Sequence, residues 1–258
     1  MVDFICVQKI VRNAAKLFTD RNAAGQIKEK GVYDFVTAVD EAVQRYIQTE
    51  LQNLYPEIQF LGEESSKANV DLNKPAWVLD PVDGTTNLIH DYKNSAISLA
   101  LIDHREVIAG IIYDPYLDEM YFAKKEKGSF LNGIEIHVSD AKTMNESLIA
   151  IGLSPYYKSE AAANFQTFEK IYMDCQDLRS TGSAALDLAH IACGRIEAYL
   201  EKKLKIWDYA AGTLLVREAG GKVLDYEGNH RTMELIGDVV AGNGVIADEI
   251  VNKYVKII

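Results

Sequence analysis

Residues 77–90, with the sequence WVLDPVDGTTNLIH, restrict the fold more than any other segment of the chain. An apolar run typical of a buried strand ends at Asp80, and Pro81 removes the next backbone donor and turns the chain. Asp83 follows on the same turn. Two carboxylates on one tight turn do not easily both stay charged unless a cation lies between them. The segment therefore predicts a strand that ends at a cation site.

The next residues favour a turn that binds an anion. Gly84 lets a ligand approach the backbone closely, and Thr85 and Thr86 predict the start of a short helix, whose first N–H groups would receive a phosphate. The alternative is a plain surface turn, because Asp, Pro and Gly are the usual turn residues. A calcium loop of the EF-hand type is excluded, because Pro81 would hold its second position and Asp91, not Glu, its twelfth.

Other acidic residues stand where strands end or helices begin. Glu63 and Glu64 follow the strand-like run QFLG, Asp208 begins the helical segment WDYAAGTLLVREAGG, and Asp40 lies in DFVTAVD. Taken singly, two adjacent glutamates are usually solvated, and each aspartate fits a helix N-cap. These alternatives stay open for each residue alone.

Hydrophobic periodicity changes near residue 145. Before it, the pattern predicts two helices and a polar, mobile loop, then strands joined by short turns and a hairpin at Asn132-Gly133, which indicates an antiparallel sheet. After it, strands and helices alternate, which indicates a mixed sheet. We expect one unit over 1–258, with an N-terminal α+β half at 1–145 and a C-terminal α/β half at 146–258. The predicted helices of the first half are 4–24 and 40–54, and the loop is 28–34.

Composition narrows the partners and the compartment. Lys and Arg number 27 and Asp and Glu 38, which gives a net charge of −11 and argues against nucleic acid or an anionic membrane as the main partner. Cys6, Cys175 and Cys193 include no C-x-x-C pair, which fits a reducing cytoplasm. The amphipathic N-terminal pattern is that of a packed helix instead of a signal peptide, and no apolar stretch approaches the roughly 20 residues of a membrane span. We expect a cytoplasmic protein.

Taken together, the acidic motifs resemble those of the inositol monophosphatase family of Mg²⁺-dependent, lithium-sensitive phosphatases. The resemblance rests on GEES, DPVDGTTNLIH and WDYAAGTLLVREAGG in that order, with DFVTAVD upstream and RSTGSAALDLAHIACGRIEAYLE before the last motif. It covers essentially the whole chain. It implies an α+β, layered αβαβα sugar-phosphatase fold, with an antiparallel sheet in the N-terminal half, a mixed sheet in the C-terminal half and a metal site between the halves. It also implies a homodimer.

The resemblance assigns roles to individual residues. It implies two to three Mg²⁺ ions, with Glu64 supporting the site from outside, and it names Glu63, Thr85 and Asp40 as the catalytic residues, Asp40 being paired with Thr85. The implied metal ligands are Glu63, Asp80, Val82 through its carbonyl, Asp83 and Asp208. The implied substrate contacts are Glu63, Val82, Asp83, Gly84, Thr85, Gly182, Ser183, Ala184, Glu201 and Asp208.

The resemblance implies Mg²⁺-dependent hydrolysis of a small phosphate monoester, above all inositol monophosphate, by direct attack of water. Fructose 1,6-bisphosphate, NADP and 3′-phosphoadenosine phosphates are alternative substrates, with Arg179, Lys28 and Lys30 as candidates for binding a second phosphate. A non-catalytic regulator is an alternative interpretation, because some relatives act in RNA metabolism, but it is less favoured. The charge of −11 and the presence of every catalytic residue argue against it.

Glu201 is the residue expected to select the substrate. We expect it at the end of a strand, with a loop leading on to the helix of Asp208, and in inositol-specific relatives the matching Glu accepts hydrogen bonds from ring hydroxyls. The alternative is a solvated charge beside Lys202 and Lys203.

Overall fold

The structure is a computed structural model that describes residues 2–19, 21–31, 34–65 and 70–256. Helices and strands alternate through these ranges and are numbered in chain order. The α-helices are α1 (Phe4–Ala14), α2 (Arg21–Ala24), α3 (Ala38–Leu54), α4 (Thr85–Ile89), α5 (Ala161–Asp174), α6 (Ala184–Ala192), α7 (Ile206–Glu218) and α8 (Gly244–Ile250). The strands are β1 (Ile27–Gly31), β2 (Asp34–Thr37), β3 (Gln59–Gly62), β4 (Ala76–Asp83), β5 (Ala96–Asp103), β6 (Glu106–Asp114), β7 (Glu119–Lys124), β8 (Ser129–Leu131), β9 (Ile134–Glu135), β10 (Leu148–Ile151), β11 (Asp177–Arg179), β12 (Ala198–Lys205), β13 (Lys222–Leu224) and β14 (Ile236–Gly242).

The N-terminal half forms a seven-stranded sheet in the order β3-β4-β5-β6-β7-β8-β9. From β4 to β9 neighbouring strands are antiparallel, as predicted. The β3–β4 pair is parallel, so the expectation of a wholly antiparallel sheet is wrong at this edge. The predicted hairpin joins β8 to β9, where Asn132 and Gly133 both take positive φ, of 50° and 82°.

The C-terminal half forms the expected mixed sheet in the order β11-β10-β12-β14-β13. The strands β11, β10 and β12 are parallel, whereas β14 is antiparallel to both of its neighbours. The parallel pairs require crossover connections, which α5 and α6 provide.

Five layers stack in the order helix, sheet, helix, sheet, helix, which confirms the predicted α+β layered fold. Along β4, alternate side chains belong to hydrophobic cores on opposite faces of the sheet. Trp77 and Leu79 pack against α1 and α3, while Val78 packs against α6 and α7. Along β12, Tyr199 faces α6 and α7, and Leu200 faces α5 and α8. The pair α6 and α7 is therefore buried between the two sheets, which explains why almost every residue of α6 is apolar. The division at residue 145 stays a prediction.

The N-terminal segments differ from expectation. The predicted helix 4–24 is α1, then a 3-10 turn at Ala15–Thr19, then α2. The predicted loop 28–34 falls largely in β1, which pairs antiparallel with β2, and residues 32 and 33 lie outside the described ranges. Short, polar strands such as these give no periodicity that distinguishes them from a loop.

A bulge brings the two aspartates of β4 to the same side. The pairing of β4 with β5 loses its register between Asp80 and Asp83, and Pro81 lies at this irregularity. In a regular strand, residues three apart point to opposite faces, whereas one extra residue restores the same face. Pro81 therefore bends the strand without ending it, because β4 continues to Asp83.

Across the described ranges, no helix combines the length and the apolar character needed to cross a membrane.

Close contact between β6 and α7 leaves no room for a side chain at Gly110. A Cβ atom there would lie 2.7 Å from the Ala211 carbonyl oxygen. We expect Gly110→Ala to lower the free energy of unfolding by about 1–3 kcal/mol, because the backbone of α7 would have to move. The measurement is urea unfolding of both proteins.

The matched control is Gly244→Ala in the first turn of α8, where the added Cβ meets only the Lys222 Cε, at 3.6 Å. Ala is the better helix former by roughly 0.5–1 kcal/mol, so this variant should be neutral or more stable. Equal behaviour of the two variants would contradict the packing argument.

Candidate active site

A cavity of about 350 Å³ opens where β4, α4, α6, β12 and α7 meet. The first half of the chain contributes one wall and the second half the other. All predicted site residues except Asp40 line it: Glu63, Asp80, Val82, Asp83, Gly84, Thr85, Gly182, Ser183, Ala184, Glu201 and Asp208. Glu64 does not line the cavity, and its N–H donates to the Gln44 Oε1 at 2.9 Å.

Three carboxylates converge in this cavity. Asp80, Asp83 and Asp208 each bring one oxygen within 4.8 Å of the other two. Glu63 lines the same cavity from the 3-10 turn after β3, outside this closest group. The three aspartates come from β4 and α7, which are more than 120 residues apart in the chain.

Backbone N–H groups fix one oxygen of two of these carboxylates. The Val82 N–H donates to the Asp80 Oδ1 at 2.9 Å, and the Lys205 N–H donates to the Asp208 Oδ2 at 2.8 Å. Asp208 is the third residue of α7 and caps the helix by reaching back. The alternative that Asp208 is a plain N-cap residue is therefore excluded, since Lys205 holds that position.

The start of α6 fixes the third carboxylate. The Ala185 N–H donates to the Asp83 Oδ2 at 2.9 Å, and the Ser183 hydroxyl donates to the same oxygen. Because Ser183 also caps α6, accepting from the Leu186 N–H, the helix and the carboxylate hold each other in place.

Burial and mutual repulsion raise the pKa values of these carboxyl groups. Burial is the main cause for Asp80, and the charges of Glu63, Asp83 and Asp208 raise its pKa further. Burial raises the pKa of Asp83 to about 6, although the hydrogen bond from Ser183 opposes the rise. The pKa of Asp208 is raised by burial and by the charges of Asp83 and Glu63. A bound cation would relieve this repulsion by supplying positive charge between the carboxylates.

A tight turn follows the second aspartate. Gly84 has a φ of 88°, and a Cβ there would lie 2.9 Å from the Asn94 carbonyl oxygen and 3.1 Å from that of Gly182. The helix α4 begins at the next residue, Thr85, as predicted. Only Gly fits this turn, and the turn lies directly against the loop of Gly182.

Asp40 lies behind the turn, fully buried and in contact with Thr85. The Thr85 hydroxyl is 3.0 Å from the Asp40 Oδ1 and 3.0 Å from the Val82 carbonyl oxygen. The Thr37 N–H donates to the Asp40 Oδ2 at 2.9 Å, and Thr37 is the N-cap of α3. Asp40 is therefore the N3 residue of a capping box, which excludes the alternative that it is the N-cap itself. Burial raises its pKa, and the hydrogen bonds from Thr37 and Thr85 oppose that rise.

A hydrogen-bonded link that the sequence did not reveal joins α4 to α6. The Asn87 side chain donates to the Thr181 carbonyl oxygen at 2.8 Å, and the Thr181 hydroxyl donates to the Asp187 Oδ2 at 2.9 Å. Asp187 is buried on α6, and burial is the main cause that raises its pKa well above the usual value. An acidic residue within the apolar run AALDLA was the available signal.

Glu201 faces the cavity from the middle of β12. The strand runs through Lys205 and passes directly into α7, so the expected strand end and loop after Glu201 are wrong. The Tyr199 hydroxyl donates to the Glu201 Oε2, and burial raises the pKa of Glu201 to about 7. A Cβ at Gly152 would overlap this carboxylate, so Gly152 leaves the space that Glu201 occupies. The alternative of a solvated surface charge is excluded.

Comparison with known proteins identifies the family. The model of the inositol monophosphatase family matches residues 4–258. The chain belongs to the inositol monophosphatase family. A Nus factor SuhB of Xylella fastidiosa is 40% identical over 200 residues, covering 78% of this chain and 72% of that protein. An inositol monophosphatase of Dictyostelium discoideum is 39% identical over 238 residues, covering 90% and 85%.

The solved structures agree with the family fold. The extragenic suppressor protein suhB of Bartonella henselae superposes with a TM-score of 0.92 at 32% identity, covering 99% of each chain. Inositol monophosphatases are metal-dependent phosphatases of small phosphate esters.

The donor set of the cavity fits a divalent cation. Carboxylate oxygens are the ligands that Mg²⁺ prefers, and each of the three aspartates is already oriented by a backbone N–H. The Val82 carbonyl oxygen lies 3.0 Å from the Thr85 hydroxyl and, having two lone pairs, keeps one for a cation whether or not it accepts that hydrogen. The raised carboxyl pKa values also favour cation binding, because a cation relieves the repulsion between like charges that are held close together.

Removing one of the three charges should stabilise the metal-free protein. Asp208→Asn keeps an oxygen for the Lys205 N–H and removes a half-buried negative charge beside Asp80 and Asp83. We expect the free energy of unfolding in chelator to rise by about 0.5–2 kcal/mol, the range common for relief of a strained site. Thermal unfolding in chelator and in Mg²⁺ measures both this gain and the expected loss of Mg²⁺ stabilisation.

Asp114→Asn is the matched control. Asp114 is also buried, but it accepts N–H groups of Tyr116 and Leu117 and lies outside the cavity lining. This variant should keep the full Mg²⁺ stabilisation. An Asp208→Asn protein that is less stable than the parent in chelator would contradict the repulsion argument.

Proposed function

We propose that the protein hydrolyses a small phosphate monoester in a Mg²⁺-dependent reaction, with inositol monophosphate as the favoured substrate. The observation that carries the proposal is the convergence of Asp80, Asp83 and Asp208 beside the Gly84–Thr85 turn in one cavity. Family membership and the 39% sequence identity to an inositol monophosphatase support this class of substrate.

The metal ligands in this proposal are Glu63, Asp80, Asp83, Asp208 and the Val82 carbonyl. The four carboxylates carry four negative charges, which two Mg²⁺ ions would balance. The negative charge of the substrate phosphate would allow a third Mg²⁺ ion to bind. When bound, Mg²⁺ lowers the pKa of water and neutralises developing negative charge. The protein supplies the positions: the N–H groups of Val82, Ala185 and Lys205 orient the carboxylates before any ligand arrives.

Thr85 and Asp40 orient the attacking water. When the Thr85 hydroxyl donates to the Asp40 Oδ1, its lone pairs are left to accept a hydrogen bond from water. Asp40 holds this orientation because Thr37 fixes its other oxygen. Glu63 accepts the second hydrogen bond of the water in this proposal. The water oxygen bonds to phosphorus as the ester P–O bond breaks, and the proton that the water gives up is taken up by the leaving oxygen, so the products are an alcohol and inorganic phosphate.

The turn at Gly84 receives the phosphate and the opposite wall receives the alcohol. The backbone at Gly84 carries no Cβ to obstruct a ligand, and Thr85 begins α4. Gly182, Ser183, Ala184 and Glu201 form the facing wall. Glu201 suits a hydroxylated substrate because its buried carboxylate accepts hydrogen bonds and Tyr199 holds it in place.

A regulatory role is the second candidate function. It is favoured by the name Nus factor SuhB that relatives of about 40% identity carry. A regulatory role does not require hydrolysis. If this protein binds Mg²⁺ but hydrolyses no phosphate ester, that result would favour the regulatory role. Inhibition by lithium and a homodimer are further expectations that rest on the resemblance alone. A cytoplasmic location is a further expectation that rests on the cysteine content and the N-terminal sequence pattern.

Asp83→Asn tests the activity. The change removes a ligand charge while the amide oxygen can still accept the Ser183 and Ala185 donors. We expect kcat for inositol monophosphate to fall by more than about 100-fold, because even residues that only support a metal ligand contribute about 10–100-fold. A steady-state assay at fixed Mg²⁺ and in chelator measures it.

Asp114→Asn again serves as the control and should retain activity. Turnover by Asp83→Asn equal to that of the parent, or parent turnover that persists in chelator, would reject the metal assignment.

Glu201→Gln tests the selection of the alcohol. We expect kcat/KM for inositol monophosphate to fall by the equivalent of about 1–3 kcal/mol, since a hydrogen bond to a charged group is lost. An aryl phosphate has no ring hydroxyls and should be affected less. A substrate with two phosphates should gain relative to inositol monophosphate, because one negative charge is removed from the cavity.

The control is Glu197→Gln, whose carboxylate accepts the Leu148 N–H at 2.7 Å and does not line the cavity. It should leave the ratios between substrates unchanged. Equal losses on all substrates with Glu201→Gln would show that Glu201 supports the site generally and does not contact the alcohol.

A further inference from the structure

The positive residues proposed from sequence for a second phosphate do not meet at the cavity. The Arg179 guanidinium pairs with Asp177 at 2.5 Å and the Lys28 ammonium with Glu41 at 2.6 Å, and neither Arg179 nor Lys28 lines the cavity. The side chain of Lys30 lies outside the described residues. The loop that follows Arg179 therefore has to be considered for its uncharged groups.

Several hydrogen bonds of this loop meet at Thr181. Thr181 does not line the cavity and is not among the site residues that the family resemblance implies, whereas its neighbours Gly182 and Ser183 do line it. Thr181 can therefore affect a ligand in the cavity only through the groups that it holds in place.

The Thr181 hydroxyl acts as donor and as acceptor. It donates to the Asp187 Oδ2 at 2.9 Å and accepts the Ser183 N–H at 3.3 Å, and both of these partners are buried. The Ser183 hydroxyl donates in turn to the Asp83 Oδ2. The Thr181 hydroxyl thus holds the residue that orients one of the proposed metal ligands.

The Thr181 carbonyl oxygen holds the other side of the site. It accepts the side chains of Asn87, at 2.8 Å, and of Asn94, at 3.2 Å. Asn87 belongs to α4 and also donates to the Asn94 carbonyl oxygen at 2.7 Å. That carbonyl lies against the turn, 2.9 Å from where a Cβ of Gly84 would be. A shift of Thr181 would therefore move α4 and the Gly84 turn together.

We propose that Thr181 is a positioning residue that fixes the distance between the metal ligand Asp83 and the Gly84 turn, with the buried Asp187 holding its hydroxyl. The inference rests on the proposed function, in which the cation binds at Asp83 and the phosphate at the turn. Phosphoryl transfer depends mainly on how accurately these two partners are placed. One hydroxyl that touches neither ligand would then affect the binding of both.

The test compares two changes at Thr181 with a matched change elsewhere. Thr181→Val keeps the branched shape and removes the hydroxyl, whereas Thr181→Ser keeps the hydroxyl. The control is Thr167→Val on α5, where the lost hydroxyl is also buried, donates to the Ala163 carbonyl oxygen at 3.4 Å and lies outside the cavity lining.

We expect Thr181→Val to lower kcat/KM for inositol monophosphate by about 10- to 100-fold, the range typical of residues that orient metal ligands. The Mg²⁺ concentration for half-maximal activity should rise as well. Thr181→Ser should retain most of the activity, and Thr167→Val should behave like the parent. All assays are made below the melting temperature of each variant, so that unfolding does not contribute.

Parent kinetics in Thr181→Val would overturn the proposal, and so would equal losses in Thr181→Ser or in Thr167→Val. A loss confined to stability, with an unchanged Mg²⁺ requirement, would show a purely structural role. If Thr181→Val does not fold, Asn87→Ala removes the link from the half-buried side of α4. It should raise the Mg²⁺ requirement too, and an unchanged requirement overturns the proposal.

A double-mutant cycle tests whether the two residues act through one link. If they do, the losses of Thr181→Val and Asn87→Ala should be less than additive in the double variant, because either change alone already breaks the link. Additive losses would overturn the proposal.

A binding measurement separates this proposal from the proposed function. If the parent protein hydrolyses no ester, the proposed function fails, and calorimetric titrations with Mg²⁺, and with inorganic phosphate in the presence of Mg²⁺, then decide the role of Thr181. Weaker binding of both ions by Thr181→Val than by Thr167→Val supports the positioning role without catalysis. Equal affinities of the two variants, or no binding by the parent, overturn it.

Discussion

Repulsion between buried carboxylates is the constraint on which the rest of the structure depends. Asp80, Asp83 and Asp208 hold oxygens within 4.8 Å of each other in a place where burial already disfavours charge. A flexible protein would relax by turning these side chains apart. The fold prevents it with backbone donors, since the N–H groups of Val82, Ala185 and Lys205 each hold one carboxylate oxygen. The site is thus ready for cations at the expense of stability without them, a compromise that is common where function is located.

The layered fold is what makes this arrangement possible. The carboxylates belong to β4 and α7, and the donor to Asp83 belongs to α6, so the cavity exists only when the helix pair is packed between the sheets. That packing is tight at the backbone, with the Cα positions of Gly110 and Gly212 leaving no room for a Cβ against Ala211 and Leu188. Close approach of α7 to β6 therefore has a direct consequence for the chemistry: it fixes the distance between Asp208 and the aspartates of β4.

The sequence predicted most of the fold and the composition of the cavity, because the evidence for both is local. Apolar periodicity identified many of the helices and strands, whereas the layered arrangement was implied by the family resemblance. The segment DPVDGTT brings two of the acids and the turn together within a few residues. What failed depended on contacts between distant segments. No local pattern shows that β3 runs parallel to β4, or that the strand of Glu201 continues straight into α7.

Asp187 shows how far the requirements of the site extend into the core. Its Oδ2 accepts the Thr181 hydroxyl, whereas its Oδ1 is buried and has no hydrogen-bond partner among the described residues. A leucine at this point of α6 would avoid the penalty of burying a carboxyl group, which is about 1–3 kcal/mol for an unsatisfied polar atom. What the carboxyl group provides is a fixed position for Thr181, whose carbonyl oxygen in turn accepts the Asn87 side chain of α4. Through this chain of contacts α4, which follows the Gly84 turn, and the loop of Thr181 and Gly182 are held at a set distance. Positioning of this kind is most of what phosphoryl transfer requires from a protein, so a small loss of stability in α6 is explained by the geometry it maintains at the cavity.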